Sequence, residues 1–282
     1  MTFQTVDLSP HIGTQVITDL DTLLDGSIAG ELRALLEQRG VLLFRGIGMT
    51  DEEQLRFAST LGTPRNEHGT DITLVASDKE KSPIFAEYAQ GTFMFHFDDT
   101  YMDYPALASV LRCLAVAPEG GQTQFANTYA IYDDLPEDDK RWFDTLHADH
   151  SQECIQRKAF PNPTDWQLSL WGEGALPAKT HPLVWLHRTG RKSLLLGESM
   201  KHIVELPKAE SDALVKRLMD LSKRPEYIYS HDWQVGDVLI WDNTGTVHRV
   251  VPFDLDCGRE LNRVKLAGEE PIVAVGMAEA GV

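Results

Sequence analysis

The chain has 282 residues, with 42% hydrophobic and 24% charged content, enough to bury a sizeable core without disulfides or a structural metal. Against 26 Lys and Arg stand 43 Asp and Glu, a formal net charge of −17 that repels phosphate backbones and anionic lipid and disfavours nucleic-acid and membrane-surface roles. The three cysteines form no CxxC, the MTFQTVDLSPHIG start lacks a basic or apolar leader region, and no apolar run approaches membrane-spanning length, so the expected compartment is a reducing cytoplasm.

Glycines and prolines are scattered, with no low-complexity linker and no internal repeat, so residues 1–282 read as one domain with insertions. Ile28, Leu32, Leu35 and Leu36 have helical spacing and end at Gly40; Val41 to Phe44 then reads as a short buried strand. Thr50 and Glu53 form a capping box for a helix that runs to about Gly62. A third helix is expected between Thr128 and His147, and a fourth after Pro207. Strands are expected over Phe93 to Phe97, Leu107 to Leu114, Leu194 to Leu196, Val238 to Trp241, Val247 to Phe253 and Glu260 to Leu266. Many short strands with peripheral helices favour a β-sandwich or barrel. Glu67 to Thr92 and His150 to Thr180 look like neither strand nor helix, and loops this long suit lids. Trp166 and Trp171 give the second an apolar underside.

The sharpest local feature is Phe95-His96-Phe97-Asp98-Asp99. On a strand, positions i and i+2 share a face about 6–7 Å apart, so His96 and Asp98 can converge on one ion. Two histidines and a carboxylate on one face of an octahedron form the iron(II) oxygenase triad, with open positions left for ligands. An HxD pair alone is weak evidence. His248, after the polar turn Asp242-Asn243-Thr244-Gly245, can return beside a distant HxD strand, although a lone core histidine is the commoner reading. Arg259, Leu261 and Arg263 then alternate on one face, which is costly unless the arginines meet anions. Four residues of strand separate the two by about 13 Å, which suits two anionic groups better than one. An exposed edge strand with surface arginines is the bland alternative.

These residues resemble the taurine dioxygenase and aryloxyalkanoate dioxygenase (TauD/TfdA) family. The resemblance runs from Gly40-Val-Leu-Leu-Phe-Arg-Gly46 to Arg263-Val-Lys-Leu266, through Gly120-Gly121-Gln122-Thr123, the His181 to Lys192 stretch and Trp241-Asp242-Asn243. It implies a mostly β fold with flanking helices (α+β) on a double-stranded β-helix, or jelly-roll, core. It also implies an iron(II)- and 2-oxoglutarate-dependent dioxygenase that uses O2 and releases succinate and CO2. By resemblance, His96, Asp98 and His248 match the iron ligands and Thr123 and Arg259 the cosubstrate clamp. Arg263 matches an arginine that contacts the substrate's acid group or the cosubstrate. The family often has asparagine and tryptophan where this chain has Thr92 and Phe95, which puts taurine in doubt and favours a larger, more apolar organic acid. His68 is a further candidate for substrate contact, whereas His181 and His187 read as structural. Relatives are commonly dimers or tetramers, so a homo-oligomer is expected. The retained Asp98 argues against a halogenase, and a cupin-like isomerase or metal-binding protein would have no evident use for Thr123 and Arg259.

Overall fold

Residues 3–67 and 69–276 are described by a computed structural model. One sheet has seven strands, in the spatial order Gln4–Asp7, Thr14–Ile17, Val41–Phe44, Val238–Asp242, Ala108–Ala115, Glu260–Lys265 and Thr73–Ala76. A three-stranded sheet places Thr123–Asn127 between Ile228–His231 and Thr246–Val250. Chain order alternates between these sheets. Ala108–Ala115 lies in the large one, Thr123–Asn127 in the small one, Val238–Asp242 in the large, Thr246–Val250 in the small, and Glu260–Lys265 in the large again. This is the winding of a double-stranded β-helix, as expected.

The strand pattern follows from what covers each face. All four residues of Val41–Phe44 and all five of Val238–Asp242 are buried. Leu42, Phe44, Val238 and Ile240 face outward and pack under Leu32, Leu36, Phe57 and Leu61 of the helices Ala29–Arg39 and Asp51–Leu61. Their neighbours Val41, Leu239 and Trp241 point inward, where Phe125 of the small sheet meets them. Strands covered on both faces read as continuous apolar runs, which is why they stood out in the sequence. The capping box is present: Glu53 Oε2 accepts from the Thr50 amide at 2.7 Å, and Thr50 Oγ1 from the Glu53 amide at 3.2 Å.

Several elements differ from expectation. Phe93 to Phe97 is not a strand; Ala89–Phe93 is a 3₁₀ turn, and His96 makes only an isolated antiparallel bridge with His248. The helix expected between Thr128 and His147 is two, Thr128–Asp133 and Glu137–Phe143, because Pro136 cannot continue the first. The two irregular stretches contain regular structure: the strand Thr73–Ala76 in one, and the helices Gln152–Ala159 and Asp165–Trp171 in the other. Thr164 and Gln167 form a second capping box, a signal present in the sequence. Trp171 is fully buried and stacks on Phe160, whereas Trp166 is exposed.

Tight packing at one turn sets where His248 emerges. Gly245 closes the turn between Val238–Asp242 and Thr246–Val250, and its carbonyl accepts from the Thr128 amide at 2.9 Å. A Cβ at Gly245 would lie 1.6 Å from the Tyr129 ring, which is itself buried. Gly245→Ala is therefore expected to destabilise the fold by about 1–3 kcal/mol, the usual cost of overpacking, measured by chemical denaturation. An unchanged midpoint would show that the turn can shift freely.

Candidate metal centre and its anion pocket

Two backbone hydrogen bonds bring the distant histidines together. The His96 amide donates to the His248 carbonyl and the His248 amide to the His96 carbonyl, both at 3.0 Å. Their rings lie 4.3 Å apart, centroid to centroid. Asp98 is fixed by the turn that leads to His248. The Asn243 side chain accepts from the Asp98 amide at 3.0 Å and donates to the Asp98 carbonyl at 3.2 Å, replacing a strand partner with one amide group. The chain then bends sharply, because Asp99 has φ 62°, the one left-handed non-glycine among the described residues. Arg65, Tyr101 and Lys265 hold its carboxylate at 2.8, 3.2 and 3.1 Å, and these contacts offset a backbone cost of about 1–2 kcal/mol.

The result is one cluster: a ligand atom from each of His96, Asp98 and His248 lies within 4.8 Å of the others. Both histidine Nε2 atoms sit 3.9 Å from Asp98 Oδ1. Two donors on one ion can be no farther apart than about 4.2 Å, twice a bond of about 2.1 Å, so a single first-row metal ion can reach both pairs. His96 Nδ1 donates to the Met94 carbonyl at 2.8 Å, which fixes the ring and leaves the Nε2 lone pair free. Burial holds both imidazoles below their ordinary pKa, His248 far below, so they are neutral ligands at neutral pH. Burial would raise the Asp98 carboxyl, but the permanent cations Lys265 and Arg263 outweigh it and hold it well below the usual carboxylate range. Asp98 Oδ2 is buried with no hydrogen-bond partner among the described residues. Neutral imidazoles beside an ionised, undersatisfied carboxylate fit a divalent cation.

A narrow cavity runs from this cluster to Thr123 and Arg259. Arg259 is buried, and its Nη2 has no hydrogen-bond partner among the described residues. Burial lowers its pKa to about 10, so it remains cationic at neutral pH. Its side chain passes Gly121, where an added Cβ would lie 3.2 Å from the Arg259 Cδ and Nε atoms. The Gly120-Gly121 step, with φ 69° and 75°, thus clears the path of the guanidinium and delivers Thr123 to the start of its strand. Thr123 Oγ1 accepts from Trp233 Nε1 at 2.9 Å, so its own O–H is free to donate. A desolvated guanidinium and a free hydroxyl lining one cavity suit a carboxylate.

A larger cavity of about 480 Å³ opens on the other side of the cluster. Ile72, Leu74, Ile84, Phe85, Ile155 and Leu176 give it apolar walls, and Arg263 and Lys265 line its charged end. Of the residues expected to contact substrate near the HxD pair, Thr92 lines this cavity, together with Phe97. Phe95 does not: it is 1% exposed, packs in the core with Ala126 and Val247, and carries the Arg249 guanidinium over its ring. Alternation along the extended segment turns His96 and Asp98 to the metal side and sends both Phe95 and Phe97 towards the core, where Phe97 still touches the cavity edge. Neither Trp166 nor Trp171 lines the cavity. His68 lies outside the described residues. His181 bonds to the Thr100 carbonyl, and His187 to Glu270 and Ser193, consistent with structural roles.

Sequence reasoning passed over Asn243 as a clasp, and also Glu67 and Lys265. Lys265 was accessible in principle, since it lies two residues beyond Arg263 and shares its face. Glu67 sits in a loop whose position no local pattern specifies.

Comparison with known proteins gives one consistent result. The profile described as "Taurine catabolism dioxygenase TauD, TfdA family" matches residues 4–265. The chain is 34% identical over 247 residues to the (S)-phenoxypropionate/alpha-ketoglutarate-dioxygenase of Sphingobium herbicidovorans, covering 85% of this chain and 86% of the relative. It is 34% identical over 279 residues to the alkylsulfatase of Acinetobacter baylyi, covering 96% and 86%. Among solved structures, AAD-2 in complex with Mn(II) and N-oxalylglycine superimposes with a TM-score of 0.81 at 28% identity, covering 96% of this chain and all of that one.

The clasp on Asp98 makes a prediction. Asn243→Ala should weaken Mn(II) binding about 10–100-fold, the usual cost of disturbing a ligand's outer partner, and Asp98→Ala at least as much. Calorimetric titration with Mn(II) reads both. Wild-type affinity in Asn243→Ala would show that Asp98 is positioned by other contacts.

Proposed function

This chain belongs to the TauD/TfdA family and is a non-haem iron(II)- and 2-oxoglutarate-dependent dioxygenase, and from that premise we propose that it oxidises a small monoanionic organic acid with an apolar body. His96, Asp98 and His248 hold iron(II). Thr123 and Arg259 hold the far carboxylate of 2-oxoglutarate, and Arg263 receives the acid group of the substrate. The observation that carries this reading is the buried, unpaired Arg259 guanidinium at the far end of a cavity whose near end is the His/Asp/His cluster. A dicarboxylate able to chelate a metal at one end satisfies both.

When bound, iron with 2-oxoglutarate and dioxygen supplies the power to oxidise an unactivated C–H bond, with release of succinate and CO2. The protein's own part is placement and exclusion of water. Thr123 and Arg259 fix the cosubstrate's length and direction. The stretches 67–92 and 150–180 contribute Ile72, Phe85, Tyr88, Ile155 and Leu176 to the substrate cavity and serve as its lids. Formal charge supports a monoanion. The four positive charges of Arg65, Arg259, Arg263 and Lys265 stand against the three negative charges of Glu67, Asp98 and Asp99, and the charges of iron(II) and the 2-oxoglutarate dianion cancel. One positive charge is left for the substrate.

The apolar walls suit an aryl or alkyl body, in keeping with relatives named for phenoxypropionate, 2,4-dichlorophenoxyacetate and sulfate ester substrates. The carboxylates at the cavity's charged end, Glu67, Asp98 and Asp99, already face Arg65, Arg263 and Lys265, which would leave taurine's ammonium without an anion of its own, so taurine is a poor substrate. No helix among the described residues is long and apolar enough to cross a membrane. The acidic surface and the unpaired cysteines favour a cytoplasmic enzyme, and a homodimer or homotetramer is the proposed assembly.

Two measurements test the reading. Losing a bidentate grip on a buried carboxylate costs about 2–5 kcal/mol, and lysine does not restore the fork, so Arg259→Lys should raise the 2-oxoglutarate requirement at least tenfold with iron affinity nearly unchanged. An unaltered requirement would place the carboxylate elsewhere. In a screen of succinate release, aryloxyacetates and alkyl sulfates should outperform taurine and neutral amides. Arg263→Ala should raise KM for the acid far more than for 2-oxoglutarate. Efficient turnover of taurine, or of a neutral compound indifferent to Arg263→Ala, would contradict the substrate class.

A further inference from the structure

The charged end of the substrate cavity already holds an anion of its own. Glu67 Oε2 accepts from Arg263 Nη2 at 3.0 Å, while Oε1 lies 2.9 Å from Lys265 Nζ and 3.1 Å from Arg65 Nη2. One carboxylate therefore bridges three cations, and it does so from a loop. The backbone of that loop is anchored by the Arg65 amide on the Lys265 carbonyl at 2.8 Å and by a reciprocal pair between Glu67 and Thr70. Against the cost of burial, Arg263 and Lys265 bring the Glu67 carboxyl down to about 2, so it is ionised at any working pH.

Resting on the reading of Arg263 as the acid-binding residue, we propose that Glu67 is a specificity-determining internal competitor: its carboxylate occupies the substrate-anion position on Arg263 and is displaced when an acid binds. Three observations favour displacement over a fixed scaffold. The two oxygens are divided, so Oε2 can leave Arg263 while Oε1 keeps Lys265 and Arg65. The Nε of Arg263 has no partner among the described residues, so an incoming carboxylate finds one donor free and contests only the other. The cavity that an acid would enter is lined by both Glu67 and Arg263. A role for Glu67 in gripping a substrate ammonium is disfavoured, because that group would become a fourth cation beside Arg263, Lys265 and Arg65. The competitor sets a threshold: an acid must offer Arg263 more than Glu67 does, through a second hydrogen bond or through burial of an apolar body. Small hydrophilic anions fail that comparison.

The test uses the protein loaded with Mn(II) and N-oxalylglycine, which blocks turnover, with phenoxyacetate and its neutral twin phenoxyacetamide as calorimetric probes. Glu67→Gln is expected to bind phenoxyacetate at least tenfold more tightly than wild type, with phenoxyacetamide changed less than twofold. Glu67→Asp keeps a charge for Lys265 and Arg65 but withdraws from Arg263, so it is expected to bind phenoxyacetate several-fold more tightly and gives the same reading should Glu67→Gln fail to fold. Ligand-free Glu67→Gln should also melt lower than wild type and recover more on adding phenoxyacetate, since its cations lack their partner. Equal or weaker phenoxyacetate binding in the folded variants overturns the proposal. Arg263→Ala, measured in parallel, separates the two layers. If it weakens phenoxyacetate binding while the Glu67 variants show no gain, only the competitor is wrong. If neither residue matters, the acid-binding role of Arg263 fails with it.

Discussion

Everything at this site depends on a backbone contact that is only two hydrogen bonds long. His96 and His248 exchange amide and carbonyl outside any regular strand. Asn243, from the turn that leads to His248, grips the peptide of Asp98 on both sides. Three side chains from two remote segments are thereby held as one unit, and a rigid arrangement of this kind spares a metal the entropy of gathering its ligands. The contact is possible because successive strands alternate between the two sheets, so that His248 emerges in the small sheet beside Phe125. The Gly245 turn, pressed against Tyr129, sets the angle of that crossing.

Electrostatics then divides the pocket into two kinds of cation. Arg65, Arg263 and Lys265 have carboxylate partners and are held in a network with Glu67, Asp98 and Asp99. Arg259 has no such partner among the described residues and is buried all the same. A desolvated, unpaired guanidinium costs free energy in the ligand-free protein, and a bound carboxylate recovers it. On the proposed reading, the Arg259 end is therefore built to be filled by the cosubstrate, whereas the Arg263 end is balanced internally and would yield only to a competing acid.

The fold and the metal cluster were legible in the sequence for physical reasons. Val41 to Phe44 and Val238 to Trp241 are apolar throughout because both faces are covered. The HxD spacing and the alternating Arg259 and Arg263 narrow the candidates by periodicity, but it is the resemblance to the TauD/TfdA family that singles out His248 and gives each residue its role. Other features left no such trace. Extended backbone from Met94 to Asp98 reads like a strand, yet only one bridge pairs it, and a sequence does not show which partner is present. The ring of Phe95 turns to the core because His96 and Asp98 take the opposite side, which becomes clear only once the bridge is known. The helices within 150–180 are short and amphipathic, and the prolines between them obscured the Thr164 capping box. Glu67 escaped because an acid in a loop has no period to betray it.

The central claim is that the His/Asp/His cluster and the Arg259 pocket are two ends of one binding site, bridged by a single molecule. The affinity of 2-oxoglutarate, measured by calorimetry with and without saturating Mn(II), tests this directly. The account predicts that Mn(II) tightens 2-oxoglutarate at least tenfold and that 2-oxoglutarate tightens Mn(II) by the same factor, as linkage requires. Equal affinity for 2-oxoglutarate in the presence and absence of metal would contradict it.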